Sequence, residues 1–401
     1  MHALRTSAVL GLLLVALQGC AEDEIHATPP EPSSPSVGSS ATPKPSPTAT
    51  PPAVAPPFRH PLPGMPPAIG NDVYAGTRAG MLDPKVARDP AYLYVPDSAG
   101  STTTVISQRT HKVVRIIRSG TLSQHVNPSY DLRTLYADAS AADRLVAINP
   151  RTARVERRIP VRRPYNVYFT PDGRRAVVMV EQHDAIRYVD PHTFQGPPGR
   201  QYRGCVGPNH LDFSANGRFF VVTCEFSGTL LKISTLTHRL LGSIDLGATS
   251  MPQDVRISPD GTTFYVAVMG RDRLQLVDAQ RFVRVGRIAT PHMPHGLMPS
   301  RDGRQLYVSD RGAGKISVVS FAERRIVDTW TIPGGGSPDM GAVSADGSML
   351  WVSGRYDGVV YGFDTRRGTL VAQIPVGGSP HGLAVWPVPG RYSLGHTGNM
   401  R

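Results

Sequence analysis

The chain has 401 residues, with 43 Lys and Arg against 31 Asp and Glu, a formal net charge of +12, and abundant Gly (40) and Pro (38). Charged residues make up 18% and apolar ones 40%, a turn-rich composition with enough apolar content for a large core. The arginines are scattered singly, without blocks or interleaved aromatics, which argues against a phosphate-tracking patch and against nucleic acid as a partner.

The first element is an address. Arg5 precedes an apolar stretch, Ala8 to Leu17, of signal-peptide length and too short to span a membrane stably. It ends in Leu17-Gln18-Gly19-Cys20, which resembles the lipobox of bacterial lipoproteins. The resemblance implies a signal peptide over 1–19 and acylation of Cys20, so that the chain is lipid-anchored at the cell membrane on its extracytoplasmic face. An ordinary cleaved signal peptide with a chance cysteine is the alternative. From about Thr28 to Pro67 the chain is Pro, Ser, Thr and Ala with almost no apolar content, so 20–70 reads as a disordered, Pro-rich tether. In polyproline geometry it reaches on the order of 100 Å. Membrane contact is then through the anchor only.

The region 71–401 is organised by a repeat. Thr170-Pro-Asp-Gly173, Ser214-Ala-Asn-Gly217, Ser258-Pro-Asp-Gly261, Ser300-Arg-Asp-Gly303 and Ser344-Ala-Asp-Gly347 recur at propeller spacing. Asp-Gly and Asn-Gly between apolar runs predict tight hairpins, because the turn needs positive φ. The strand after each turn predicts a second blade strand. Seven such strands are found: Tyr92–Val95, Thr134–Ala137, Ala176–Val180, Phe219–Thr223, Phe264–Val268, Leu306–Ser309 and Leu350–Ser353. The first lacks an inner strand before it, and His381–Trp386 is an inner strand with no blade after it. The spacing therefore predicts an all-β, seven-bladed β-propeller with four-stranded blades, closed by the C-terminal strand 381–386. The segment Gly390–His396 lies beyond that strand and has the composition of ordered chain.

Leu-Tyr-Val-Ser-Asp at 306–310 and Ser-Pro-Asp-Gly at 258–261 resemble the YVTN-type β-propeller repeat family over about Tyr92 to Pro387. That family is a scaffold with many activities, so the resemblance implies the fold and leaves the function to the site.

The first residue of each inner strand falls near the central channel's mouth. Those positions are His125, Asn166, His210, Asp254, His295, Asp339 and His381, spaced by 41, 44, 44, 41, 44 and 42 residues. Sevenfold geometry turns this period into convergence on one axis. His125, His210, His295, His381, Asp254 and Asp339 suit a transition metal such as copper, zinc or iron. The ring equally suits an anionic or polyhydroxyl ligand, or a polar channel holding water. Asp212, Glu181, Glu225, Asp310 and Arg355 are expected on the same face, and Met251, Met293 and Met340 lie within three residues of ring positions. Cys205 and Cys224 flank one strand pair and predict a disulfide outside the cytoplasm.

Three functions follow as expectations for a monomeric chain. The first is a cell-surface module binding a small molecule or cell-envelope protein through the polar mouth. The second is an extracytoplasmic metal-dependent enzyme or redox protein using the histidines, and the third a lactonase-like hydrolase.

Overall fold

In the computed structural model, which describes residues 56–401, all five Asp-Gly and Asn-Gly turns close as hairpins. The glycines at 173, 217, 261, 303 and 347 have φ between 63° and 81°, the left-handed region that a β-carbon disfavours. The Ser or Thr opening each turn donates its hydroxyl to the Asp or Asn two residues on, at 2.6 Å for Thr170, Ser300 and Ser344. Each hairpin is therefore specified by four contiguous residues.

The strands assemble into seven sheets of four, ordered inner to outer in sequence except in the first blade. There Tyr92–Pro96 pairs on one side with Thr102–Ser107 and on the other with the closing strand Ala384–Trp386. Gln108 and Asp89 lock this seam: the Gln108 amide donates to the Trp386 carbonyl at 2.8 Å, and the Trp386 indole donates to Asp89 at 3.0 Å. Closure supplies the first blade's missing inner strand and ties the two ends of the ring together. Apolar clusters such as Leu211, Phe213, Phe220, Val222 and Leu231 fill the spaces between blades. Among the described residues no helix is long and apolar enough to cross a membrane.

The signal segment, Cys20 and the tether as far as residue 55 lie outside the described residues. Residues 56–70, which composition assigns to the tether, instead pack on the propeller. Leu62 is buried and its amide donates to the Asn216 carbonyl at 2.7 Å, while Phe58 packs beside Ala215 and Phe264. Tyr74, a little further on, is buried with its hydroxyl donating to the Ile257 carbonyl at 2.8 Å. Asn216, Pro259 and Ile257 all belong to the hairpin-turn end of the blades, so this strap crosses that end, below. A few apolar anchors suffice to hold a Pro-rich chain in place.

Cys205 and Cys224 form a disulfide across 19 residues. Loop-closure entropy for such a span predicts a loss of about 3 kcal/mol in the Cys205→Ser/Cys224→Ser variant. Urea melts of the two proteins measure it, and equal midpoints would contradict it.

Candidate functional site

The inner strands run from the ring end of the channel toward the hairpin turns. All seven ring residues meet at the hub, and each is at most 2% exposed. The ring is thus not an open mouth, as the sequence suggested, but a closed core of polar side chains. Tyr165, Gln124 and Arg311, each below a tenth exposed, cover it at the ring end. Residues beyond the closing strand fill it from the turn end.

That second cover is a hairpin. Arg391 and Tyr392 run antiparallel to Met400 and Arg401, with the Arg391 amide donating to the Arg401 carbonyl at 2.8 Å and the Leu394 amide to the Asn399 carbonyl at 2.7 Å. This finger lies along inner strands, the Phe169 amide donating to the Leu394 carbonyl at 3.0 Å. Its tip carries His396, fully buried and stacked on Tyr168 with ring centroids 5.5 Å apart. Asn166 and Asp254, ring positions that are not histidine, flank it: Asn166 Nδ2 lies 2.9 Å from His396 Nδ1, and His396 Nε2 lies 3.3 Å from Asp254 Oδ1.

Five imidazoles therefore share the hub. Ring centroids are 5.5 Å apart for His125 and His210, 4.8 Å for His210 and His396, 4.6 Å for His125 and His381, and 5.7 Å for His295 and His381. Burial lowers the pKa of each; it takes His125 down to about 3, against a partial rise from its bond to the Tyr165 carbonyl. All five are neutral near pH 7.

Two groups of ligand-type atoms stand out, each with its members within 4.8 Å of one another: His125, His210 and His396, and His295, Asp339 and His381. In the first, the Nε2 atoms of His125 and His210 are buried without a hydrogen-bond partner, whereas His396 Nε2 faces Asp254 Oδ1 at 3.3 Å and its Nδ1 accepts from Asn166 Nδ2 at 2.9 Å. His125 Nδ1 lies 2.9 Å from the Tyr165 carbonyl, which only accepts, so Nδ1 carries the proton and Nε2 the lone pair. That is the tautomer a metal ligand needs, with its other nitrogen held as ligating histidines usually are.

The second group is organised around a carboxylate already engaged. Asp339 Oδ1 lies 2.7 Å from Arg311 Nη2 and 2.7 Å from His295 Nδ1, and Oδ2 lies 3.6 Å from His381 Nε2. Burial opposes ionisation of Asp339, but Arg311, His295 and His381 prevail and hold it well below the usual carboxylate range. Asp254 is similarly matched by Arg256 at 3.2 Å.

The remaining expectations divide. Asp212 shares the direction of His210 and faces the finger, accepting from Arg401 at 2.6 Å and Asn399 at 3.0 Å. Glu181, Glu225 and Arg355 form a half-buried rim above the ring: Glu225 accepts from Asn209 at 3.0 Å, and Arg355 Nε approaches Asp339 at 3.8 Å. Burial, reinforced by Glu225, pushes the Glu181 carboxyl up to about 8. Asp310 is not brought to the ring. It accepts from Ser317 at 2.7 Å within its own blade, while Ser309, one residue earlier and on the opposite strand face, supports the inner strand by accepting from Gly296. The cysteines are consumed by their disulfide. Met251 and Met293 occupy left-handed turn positions, φ 47° and 58°, leading into inner strands, and Met340 is buried next to Asp339 in sequence.

The profile of the YNCE-like β-propeller family matches residues 133–231 and 242–389, more than half of the chain. The chain belongs to this family. It is 27% identical over 158 residues to Antigen Lp49 of Leptospira interrogans, a match spanning 34% of this chain and 34% of that protein, so only about a third of that relative's length is covered. A functionally unknown protein from Desulfotomaculum acetoxidans superposes with a TM-score of 0.61 at 16% identity, over 73% of this chain and 98% of that one. Kuenenia stuttgartiensis hydrazine synthase gives 0.53 at 20% identity, over 64% and 87%. Dihydro-heme d1 dehydrogenase NirN in complex with DHE gives 0.57 at 14%, over 80% and 82%. At these identities the likeness to solved structures is one of fold alone.

Several residues of this YNCE-like propeller's hub carry no repeat signal. His396, Tyr165, Tyr168, Arg256 and Arg311 emerge only from the fold. Asp138, which ends the second strand behind His125, accepts from the backbone amides of Gln124 and His125 and so fixes where that imidazole starts. Equivalent support at His210 comes from Thr223, whose hydroxyl oxygen accepts from the His210 amide at 3.1 Å. A small polar residue at the end of a second strand was the one sequence signal available for these supports.

Proposed function

We propose that this chain is a metal-holding module of the cell envelope, exported and lipid-anchored through Cys20, that binds one late first-row transition ion, zinc or copper, at His125, His210 and His396. The observation carrying this reading is the set of three buried, neutral imidazoles whose ligand-type nitrogens lie within 4.8 Å of one another, with the His125 Nε2 lone pair unpartnered. An orphaned imidazole lone pair costs on the order of 1–3 kcal/mol in a dry interior, and an ion bound there satisfies it. A nitrogen donor set without thiolate suits zinc or copper over calcium or magnesium. Because the hub is enclosed at both ends, retention of an ion is favoured over turnover of a substrate at an open mouth.

Elemental analysis of the exported full-length chain is expected to give one zinc or copper per chain. In the His125→Ala/His210→Ala variant the content is expected to fall below about a tenth, with unchanged far-UV circular dichroism; loss of two of three ligands removes the chelate. Wild-type protein that stays metal-free after incubation with excess zinc and copper would overturn the reading. Two ions per chain would instead assign a metal to His295, Asp339 and His381 as well. For the anchor, Cys20→Ser is expected to move the chain from the membrane fraction to the soluble one.

A further inference from the structure

We infer that Arg391–Arg401 is a metal-operated latch: binding an ion at the hub and docking this finger into the channel form one coupled equilibrium. The inference rests on reading the hub as a metal site and adds how that site is opened and closed.

Three observations support it. The blades supply only two of the three ligands, His125 and His210, whereas His396 arrives on a separate hairpin. The hairpin's tip is held in conformations that L residues adopt only when neighbours enforce them: φ is 28° at His396 and 47° at Thr397, after Gly395 at 90°. Gly395 lies so close to the inner strand that a β-carbon there would fall 2.2 Å from the Val167 carbonyl oxygen. Finally, the finger packs unevenly. On one flank it bonds to Pro128 at the end of one inner strand, to Tyr130 in the turn that follows, and to Phe169 of the next inner strand. On the other a cavity of about 40 Å³ separates Thr397–Met400 from Arg256, Leu297 and Ala342.

An ion bridging His396 to His125 and His210 ties this strained tip to the ring. By linkage, the factor by which the docked finger tightens the ion equals the factor by which the ion tightens the finger. Without an ion, the finger keeps its Asp212 contacts but loses the tie at its tip. Its release opens the channel from the turn end, where the cation enters or leaves.

The test is hydrogen exchange read by mass spectrometry on the exported full chain, stripped with chelator and then titrated with zinc(II) or copper(II). Amides of 391–401 are expected to slow on metal addition, while the blade strands, already protected, report the intact fold in the same experiment. His396→Ala is expected to weaken the ion roughly 100-fold or more and to abolish the metal's effect on finger exchange. Gly395→Ala keeps all three ligands but blocks docking, so it is expected to weaken the ion similarly, with a finger that exchanges fast even when metal is added. Wild-type chain that binds no metal overturns the reading of the hub, and this inference with it. Stoichiometric binding whose affinity falls in His396→Ala but is unchanged in Gly395→Ala overturns the latch alone, and affinity unchanged in both variants removes His396 from the ligand set as well. Affinity loss without any change in finger exchange also overturns the latch and leaves His396 a plain ligand.

Discussion

Metal-free chain is expected to be most stable near pH 6 and to lose stability steeply on further acidification. His125, His210, His295, His381 and His396 are buried and neutral in the folded state, with pKa values below the ordinary 6.5. Below that value the unfolded chain takes up protons that the folded chain refuses, so stability falls with pH. Three carboxyls act in the opposite sense. Burial raises Glu181 to about 8, Asp310 to about 7 and Asp138 well above its usual range, so these release protons on unfolding. Near pH 5 the five histidines outnumber the three raised carboxyls, so unfolding takes up protons on balance and stability falls with pH, by about 1.4 kcal/mol per pH unit for each net proton. Below about pH 4 the raised carboxyls are protonated in both states, and the histidines are joined by carboxyls whose pKa is lowered in the fold, Asp339 most strongly and also Asp260, Asp302 and Asp346. The decline then steepens. From neutrality to about pH 8 the raised carboxyls make stability fall as pH rises; above that Lys232, which burial lowers to about 8, acts in the opposite sense. A domain of ordinary stability, about 5–15 kcal/mol, is exhausted within a few units on the acid side. Urea melts from pH 4 to 8 measure this; a profile that is flat, or that peaks near pH 4, contradicts the neutral hub.

Asp212→Ala is expected to cost about 3–5 kcal/mol, because it strands a buried guanidinium. The Asp212 carboxylate accepts from the Ile257 amide at 3.0 Å, its neighbour Phe213's amide at 2.8 Å, Asn399 at 3.0 Å and Arg401 at 2.6 Å. Arg401 has a side chain only 7% exposed and lies over the Tyr74 ring at 5.2 Å, so it has little water to fall back on. Replacing both charges, as in Asp212→Ala/Arg401→Met, is expected to recover part of the loss, since an apolar pair leaves no unpaired ion. The surface pair Asp364 and Arg367, 3.3 Å apart, is the control; breaking it is expected to leave the urea midpoint almost unchanged. A loss below about 1 kcal/mol for Asp212→Ala would mean that the finger is not docked against this strand.

Much of the hub was legible because a propeller repeats. His125, His210, His295 and His381 could be aligned by counting from one Ser-x-Asp-Gly turn to the next, and the ring closes because His381 precedes the strand that completes the first blade. Asp310 shows the limit of that counting: one residue along a strand reverses the side chain, and the period does not say which of Ser309 and Asp310 faces inward.

The local and periodic features are written in the chain order alone: five hairpins, seven blades, the closing strand, the paired cysteines and the ring of polar residues. Each follows from turn chemistry within four residues or from a spacing of forty-odd. Burial of the ring, the strap of residues 56–70 across the turn end and the placing of His396 beside His125 and His210 come instead from long-range packing. These depend on where a non-repeating segment folds back. Arg391–Arg401 has no counterpart in the other blades to align with, and its path is chosen by long-range contacts to Asp212, Asn166 and Val167 that no local pattern encodes.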